Sequence, residues 1–196
     1  MGIEKEFYSV DHSFLFATLK KIGSDSYFVD WIKNLLNKQE ICVINGGVST
    51  GYFTLERGSR QGDSMSAYFF IIVMEVFFTM IRNNPNIQDL DILGLIYLLT
   101  SYADDATFFT KDTNSVHEIF NTFNLFSKYS GLKANISKCE IAGIVVKNGA
   151  HLAILGLKCI DLNNDSIRIL GVHLSYNACF FFFPEKNTTQ GASRLG

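Results

Sequence analysis

The sequence LIYLLTSYADDATFFT, residues 95–110, places two adjacent carboxylates, Asp104 and Asp105, between two apolar segments. The segments 95–99 and 107–110 are rich in β-branched and aromatic residues, which predicts two strands joined by a tight turn. Carboxylates that are neighbours in such a turn repel each other, and a divalent cation removes that repulsion. Because Mg²⁺ prefers carboxylate oxygens, the pair predicts a metal site. The alternative is a solvated acidic turn.

The residues around this turn predict an α+β fold in which antiparallel strands pack on helices. Asn45-Gly46 is typical of a hairpin turn, and Gly131 is expected to end the last helix. The longest helix is nearly all apolar and is expected to be buried on most sides. Helices are predicted at Ser13–Ile22, Tyr27–Leu36, Ser64–Arg82 and Asn114–Tyr129, and strands at Ile3–Phe7, Glu40–Ile44, Tyr52–Leu55, Leu95–Leu99, Thr107–Thr110, Glu140–Val146 and Arg168–Leu174.

A second polar feature, Arg60-Gln61-Gly62, stands just before the longest predicted helix. Gly62 permits a positive φ angle or a close backbone approach, and Asp63 or Ser64 is expected to cap the helix. Arg60 and Gln61 would then lie near a helix N-terminus, where anions are favoured. The feature indicates an anion-binding loop, and the alternative is an ordinary capped loop.

Composition narrows the possible functions. The chain has 196 residues, a net charge of −2, 47% hydrophobic residues and 18 phenylalanines. This hydrophobic content is typical of a packed core, while the charge disfavours a free-standing nucleic-acid-binding domain, which is usually basic. The four cysteines form no CxxC pair, so we expect reduced thiols in an intracellular protein and no zinc site. The longest apolar run is interrupted by Glu75 and is too short to span a bilayer.

The order of the motifs resembles the reverse transcriptase family, and the non-LTR (LINE-type) branch in particular. The first family motif, Asp-x-x-Lys-Ala-Phe-Asp-x-Val-x-His, is similar to EKEFYSVDH at residues 4–12. The other motifs follow in the family's order: RQG at 60–62, YADD at 102–105, GLKAN at 131–135 with Lys138 beyond it, and LGV at 170–172. The resemblance covers the chain from about Gly2 to Asn177.

The resemblance implies that residues 1–177 form a reverse transcriptase palm with part of the fingers. Residues 178–196, which contain four consecutive phenylalanines, are expected to be a divergent, unstructured tail. The implied reaction is RNA-templated DNA synthesis with Mg²⁺, and the implied partners are an RNA template, a DNA primer and deoxynucleoside triphosphates. No membrane partner is expected.

The resemblance also implies a role for individual residues. Phe7 would pack under the incoming sugar, and Lys138 would lie near the triphosphate. Their alternatives are an ordinary core phenylalanine and an exposed lysine. The remaining roles are metal binding by Asp104 with Asp105 as its acidic neighbour, nucleotide contacts by Arg60, Gln61 and Gly62, and a primer grip formed by Leu170, Gly171 and Val172. The alternative for the last group is a strand with a tight backbone contact.

The chain departs from the family pattern in its first motif. Gly2 stands where the family has its other metal-binding aspartate, Tyr8 replaces the second aspartate, and Glu6 replaces the small alanine. Glu4 would face the same side of a strand as Gly2 but about 7 Å further along. Loss of this carboxylate predicts crippled polymerisation. The main alternative is a non-catalytic retroelement remnant with at most weak nucleic-acid binding, and a third is an α+β interaction domain with a chance acidic turn.

Overall fold

A computed structural model of the chain describes residues 1–4, 6–37, 39–59, 62–103, 105–143, 158–161, 167–169 and 172–174. The chain divides into two compact units. Of the described residues, the N-terminal unit contains 1–140 and Lys158, and the C-terminal unit contains the other strand residues from Ile141 onward.

The N-terminal unit contains the four helices that the sequence predicts and one further short helix. Among the described residues these are α1 (Glu6–Ser9), α2 (His12–Lys21), α3 (Ser26–Leu36), α4 (Ser66–Arg82) and α5 (Thr113–Ser130). Three of them follow an aspartate whose carboxylate accepts a backbone N–H from the first turn: Asp11 before α2, Asp25 before α3 and Asp112 before α5. Such caps satisfy N–H groups that a helix leaves unpaired at its start. The four predicted helices are confirmed within two residues.

The strands of the N-terminal unit are short. They are β1 (Gly2–Glu4), β2 (Glu40–Ile41), β3 (Ile44–Asn45), β4 (Val48–Ser49), β5 (Phe53–Thr54), β6 (Leu90–Ile92), β7 (Leu95–Tyr97), β8 (Leu99–Tyr102), β9 (Asp105–Phe108) and β10 (Lys133–Asn135). The prediction of one strand over Ile3–Phe7 is wrong, because the strand ends at Glu4 and Phe7 lies in α1. A segment of five residues is too short for its periodicity to separate a strand from a helical turn.

Four strands come together in this unit and are all antiparallel. β8 pairs with β9, with Leu99 opposite Phe108 and Tyr102 opposite Asp105. β1 pairs with β10, and Met1 exchanges two backbone hydrogen bonds, of 2.6 and 3.2 Å, with Ala106 of β9. β1 therefore lies between β9 and β10.

The predicted hairpin at Asn45-Gly46 is present, but its turn is one residue further along. Asn45 pairs with Val48, so the central residues are Gly46 and Gly47, with φ angles of +58° and +82°. A two-residue turn of this kind needs positive φ at both positions, and glycine meets that need at low cost. The predicted strand Tyr52–Leu55 is confirmed as β5, which pairs with β2.

The core lies where α4 packs on α2 and α5. Phe77 is fully buried and has its ring centroid 5.1 Å from that of Phe123 and 5.4 Å from that of Phe126. Such aromatic pairs add about 0.5–1.5 kcal/mol to area burial. The prediction that α4 is buried on most sides is wrong, because only eight of its seventeen residues are buried. An exposed side runs along the helix and is formed by Ala67, Tyr68, Ile71, Glu75, Thr79 and Arg82. None of the helices in the described ranges has the length and apolar character needed to cross a bilayer.

Four further strands follow in the chain: β11 (Glu140–Gly143), β12 (Lys158–Asp161), β13 (Ile167–Ile169) and β14 (Val172–Leu174). β11 pairs with β12, and β13 pairs antiparallel with β14. The prediction of one strand over Arg168–Leu174 is therefore wrong, because this segment contributes to two paired strands. The predicted tail, residues 178–196, lies outside the described residues.

Candidate functional site

The acidic turn lies at the end of the β8–β9 hairpin, as the sequence predicts. Ala103, which follows β8, has a φ angle of +51°. A left-handed conformation costs a non-glycine residue about 1–2 kcal/mol, and such strain is found preferentially at functional sites. Beyond the turn, Asp105 is exposed while Ala106 is buried. The hairpin thus presents the Asp105 carboxylate to solvent. Asp104, the predicted metal ligand, lies outside the described residues.

The first motif lies beside this hairpin. Met1 and Ala106 form a reciprocal antiparallel pair, and continuing that register by one residue brings Gly2 opposite Asp105. Side chains at such opposed positions are about 4.5–5.5 Å apart at their β-carbons. Ile3 and Ala106 are buried, so Gly2 and Asp105 share the other face. The first motif therefore lies beside the acidic hairpin through β1.

Lys138 completes this face. It ends a short 3-10 helix, Ile136–Lys138, that follows β10. A β-carbon added at Gly2 would lie 3.7 Å from Cβ and 3.9 Å from Cδ of Lys138. The structure therefore brings together three positions that the sequence singled out, Gly2, Asp105 and Lys138, and we call them the site cluster.

Cys139 fixes the turn that carries Lys138. Its thiol donates to the carbonyl oxygen of Asn135 at 3.1 Å, and its backbone N–H donates to that of Ile136 at 3.1 Å. Burial raises the pKa of the Cys139 thiol, because an apolar environment disfavours the thiolate. The thiol therefore keeps the proton that the hydrogen bond to Asn135 uses.

The Arg-Gln-Gly loop is described only at its end. Gly62 is exposed, has a φ angle of +93°, and a β-carbon added there would meet no atom within 4 Å. Asp63 then accepts the Met65 N–H through its carboxylate at 3.0 Å. The predicted cap by Asp63 or Ser64 is wrong, because α4 begins two residues later than expected, with Met65 as its N-cap and without a side-chain capping bond. Arg60 and Gln61 lie outside the described residues, so their nucleotide contacts remain predictions.

Two contacts that the sequence did not indicate join the first motif to other motifs. Nε2 of His12 lies 2.7 Å from the carbonyl oxygen of Gly58, two residues before the Arg-Gln-Gly loop. Gly131 has a φ angle of +77°, and a β-carbon added there would lie 2.5 Å from the carbonyl oxygen of Ser9. His12 is the last residue of the first motif and Gly131 the first of GLKAN. Gly131 ends α5 as predicted, but nothing in the sequence indicated its approach to Ser9 or the contact of His12 with Gly58.

The remaining predicted residues are only partly placed. Phe7 lies in α1, which packs against α4. Val172 begins β14 in the C-terminal unit, while Leu170 and Gly171 lie outside the described residues. The sugar contact of Phe7 and the primer grip at 170–172 stay predictions.

Comparison with protein families decides the class of the chain. Residues 1–174 match the model of the family described as reverse transcriptase (RNA-dependent DNA polymerase). The chain belongs to the reverse transcriptase family. This membership confirms the resemblance drawn from the ordered motifs, and the helices with small antiparallel strands are consistent with an α+β reverse transcriptase. Members of the family act on a nucleic-acid template and nucleotide substrates and use divalent metal ions.

This reverse transcriptase chain is similar to proteins of retrotransposable elements. It is 27% identical over 144 residues, 74% of its length, to the retrovirus-related Pol polyprotein of the type-2 element R2DM of Drosophila melanogaster. It is 25% identical over 174 residues, 88% of its length, to the uncharacterized 149 kDa protein of transposon TX1 of Xenopus laevis. A Pol polyprotein of the type-1 element R2 of Popillia japonica is 23% identical over 149 residues. The aligned regions cover 13%, 13% and 24% of these relatives.

Proposed function

We propose that the chain is the palm, with part of the fingers, of a retroelement polymerase whose reaction is RNA-templated DNA synthesis. The observation that carries the proposal is the site cluster. It brings Gly2, at the position of the first-motif carboxylate, together with Asp105 and Lys138 on one face. In this reaction the primer 3′-hydroxyl attacks the α-phosphorus of a deoxynucleoside triphosphate, and pyrophosphate leaves.

The residues of the chain would divide this work between binding and orientation. Lys138 would attract the triphosphate, because an ammonium group favours phosphate oxygens. Gly62 would let the loop backbone approach the nucleotide, since it has no side chain and already holds a positive φ angle. The other proposed roles are nucleotide contacts by Arg60 and Gln61, sugar selection by Phe7, and primer positioning by Leu170, Gly171 and Val172.

The described residues do not by themselves complete a site for Mg²⁺. Across the described ranges, no three His, Cys, Asp or Glu side chains are grouped so that they could hold a metal ion. Asp105 supplies a carboxylate, but Gly2, opposite it, supplies none. A divalent ion at the hairpin would supply charge neutralisation for the reacting phosphates. We propose that the missing carboxylate at position 2 cripples polymerisation in this chain.

Primer extension by the purified chain tests this proposal. We expect no incorporation of deoxynucleotides on an RNA template with Mg²⁺ or Mn²⁺. Incorporation that Asp104→Ala abolishes would confirm the polymerase and overturn the crippled state. Incorporation that survives Asp104→Ala would indicate a contaminating enzyme.

A non-catalytic remnant with weak nucleic-acid binding is the second candidate, and Gly2 is the observation that favours it. Its test is fluorescence anisotropy with a labelled RNA–DNA hybrid at several salt concentrations. Phosphate contacts make affinity fall as salt rises, so binding through the site cluster should weaken with salt and with Lys138→Met. Lys21→Met, at the end of α2, is the matched control.

A further inference from the structure

His12 makes a side-chain contact that ties the first motif to the Arg-Gln-Gly loop. Its Nε2 lies 2.7 Å from the carbonyl oxygen of Gly58. A carbonyl oxygen can only accept a hydrogen bond, so the ring nitrogen must donate. The contact therefore requires a proton on Nε2.

The backbone beside this contact is joined at two more points. The N–H of Gly58 donates to the carbonyl oxygen of Val10 at 2.8 Å, and Asp11 forms an isolated antiparallel bridge with Arg57. Ser59, the next residue, is buried. Residues 57–59 are thus held against residues 10–12 by side chain and backbone together.

The contact between His12 and Gly58 lies close to the Arg-Gln-Gly loop along the chain. β5 ends at Thr54 and α4 begins at Ser66. Between these elements, the part of the chain that the structure describes forms no strand or helix, and the bridge at Arg57 is its only ladder contact. The His12 contact is therefore the side-chain anchor nearest to the loop on its N-terminal side, while Asp63 anchors the other side through the start of α4.

We propose that His12 is a positioning residue that holds residues 57–59, which lead into the Arg-Gln-Gly loop, against the first motif. Residues 57–59 are thereby joined to the part of the chain that carries Gly2, since residues 10–12 follow β1 and α1 directly. Without the Nε2 donor, the contacts that join residues 57–59 to residues 10–12 within the described part of the chain are the backbone contacts to Val10 and Asp11. A role of this contact in nucleotide binding rests on the proposed function of Gln61 and Gly62, whereas the anchoring of residues 57–59 by His12 does not.

Two substitutions separate the hydrogen bond from the packing of the ring. His12→Phe keeps an aromatic ring near Phe16, whose centroid lies 6.2 Å from that of His12, but removes the donor. His12→Gln loses the ring but places an amide N–H close to where Nε2 stands. If the donor is what matters, glutamine should restore the parent behaviour and phenylalanine should not.

Hydrogen exchange of the full chain, followed at single amides, is the test. In His12→Phe we expect the Gly58 amide to exchange about tenfold faster. The Met65 amide, bonded to Asp63, should also exchange faster, while the amides of α5 keep their parent rates. In His12→Gln all these rates should stay within about twofold of the parent.

Three results would overturn the positioning role. They are unchanged exchange at Gly58 in His12→Phe, equal effects of phenylalanine and glutamine, and acceleration that is uniform through α5, which a purely global loss of stability would give. Titration of the same samples with thymidine triphosphate tests the functional meaning separately. Selective loosening of the loop, with no amide of the parent near Gly62 responding to the nucleotide, would keep the positioning role and refute the proposed nucleotide site.

Discussion

Replacing Gly131 by alanine should destabilise the chain through two separate effects. The first is conformational, because a residue with a β-carbon at a φ angle of +77° pays about 1–2 kcal/mol. The second is steric, because the new β-carbon would lie 2.5 Å from the carbonyl oxygen of Ser9, so backbone must shift. Overpacking of this kind typically costs about 1–3 kcal/mol. We therefore expect Gly131→Ala to lower the free energy of unfolding by about 2–5 kcal/mol.

Gly23→Ala is a matched control that isolates the conformational effect. Gly23 also follows a helix and has a φ angle of +87°, but a β-carbon added there would meet no atom within 4 Å. Its replacement should cost only about 1–2 kcal/mol. Urea denaturation followed by far-ultraviolet circular dichroism measures both values, and equal slopes in urea would show that both changes act on stability alone.

The comparison of the two variants decides whether the close approach of Gly131 to Ser9 exists. A loss at Gly131 that clearly exceeds the loss at Gly23 supports the contact between α5 and the first motif. Equal losses would refute it, since only the positive φ angle would then matter.

Three further predictions concern the acidic hairpin, the turn of Lys138 and the exposed apolar surface. Ala103→Gly should raise the free energy of unfolding by about 0.5–1 kcal/mol, because glycine accepts a positive φ angle at less cost. The control Ala106→Gly, in the buried part of β9, should lower the free energy of unfolding. If chemical denaturation showed a loss of stability in both variants, the strained turn at Ala103 would be contradicted. Burial raises the pKa of the Cys139 thiol, so the folded state keeps the thiol proton at a pH where the unfolded chain loses it. The contribution of this thiol to stability should therefore be present below the ordinary thiol pKa of about 8.5 and should fall as the pH rises above that value. Chemical denaturation below and above that pH should show a loss of stability that is smaller in Cys139→Ala than in the parent and unchanged in the control Cys42→Ala. Equal losses in the parent and both variants would disprove the link between the thiol pKa and stability. Exposed Tyr68 and Ile71 on α4 should cause self-association, which Ile71→Lys should reduce in sedimentation velocity; a parent that stays monomeric at high concentration would be the contrary result.

The helices could be predicted from the sequence because their signals are local. For α5, the capping Asp112, the periodicity and Gly131 after the last turn all point to the same bounds, whereas the start of α4 was predicted two residues early because no side chain caps it. The strands β3, β4 and β5 have two residues each, which is too few for alternation to show. Their pairing could be inferred only from the glycine-rich turn.

The contacts that build the candidate site were harder to predict from the sequence, because they join residues far apart in the chain. The ladder between β1 and β10 pairs Gly2 with Asn135, and no local pattern in either segment indicates that partner. The same holds for the approach of Gly131 to Ser9 and of His12 to Gly58. Gly2 could be recognised only by its place in the family motif, and only the fold puts it opposite Asp105 and beside Lys138.

The affinity for Mn²⁺ after Gly2→Asp is the measurement that tests the account most directly. The new carboxylate would face Asp105 across the β1–β9 pair, so it should add a ligand and strengthen the negative charge that attracts the ion. It would also lie beside Lys138, whose ammonium group competes with the ion, and Lys138→Met should therefore increase the gain.

Calorimetric titration of the parent, Gly2→Asp, Asp104→Asn and the corresponding double variant gives the required comparison. We predict that Gly2→Asp tightens Mn²⁺ binding by roughly tenfold, as expected for one added carboxylate ligand, and that Asp104→Asn removes most of this gain. Equal Mn²⁺ affinity in all four proteins would contradict the account, because position 2 and the acidic hairpin would then not be two halves of one metal site.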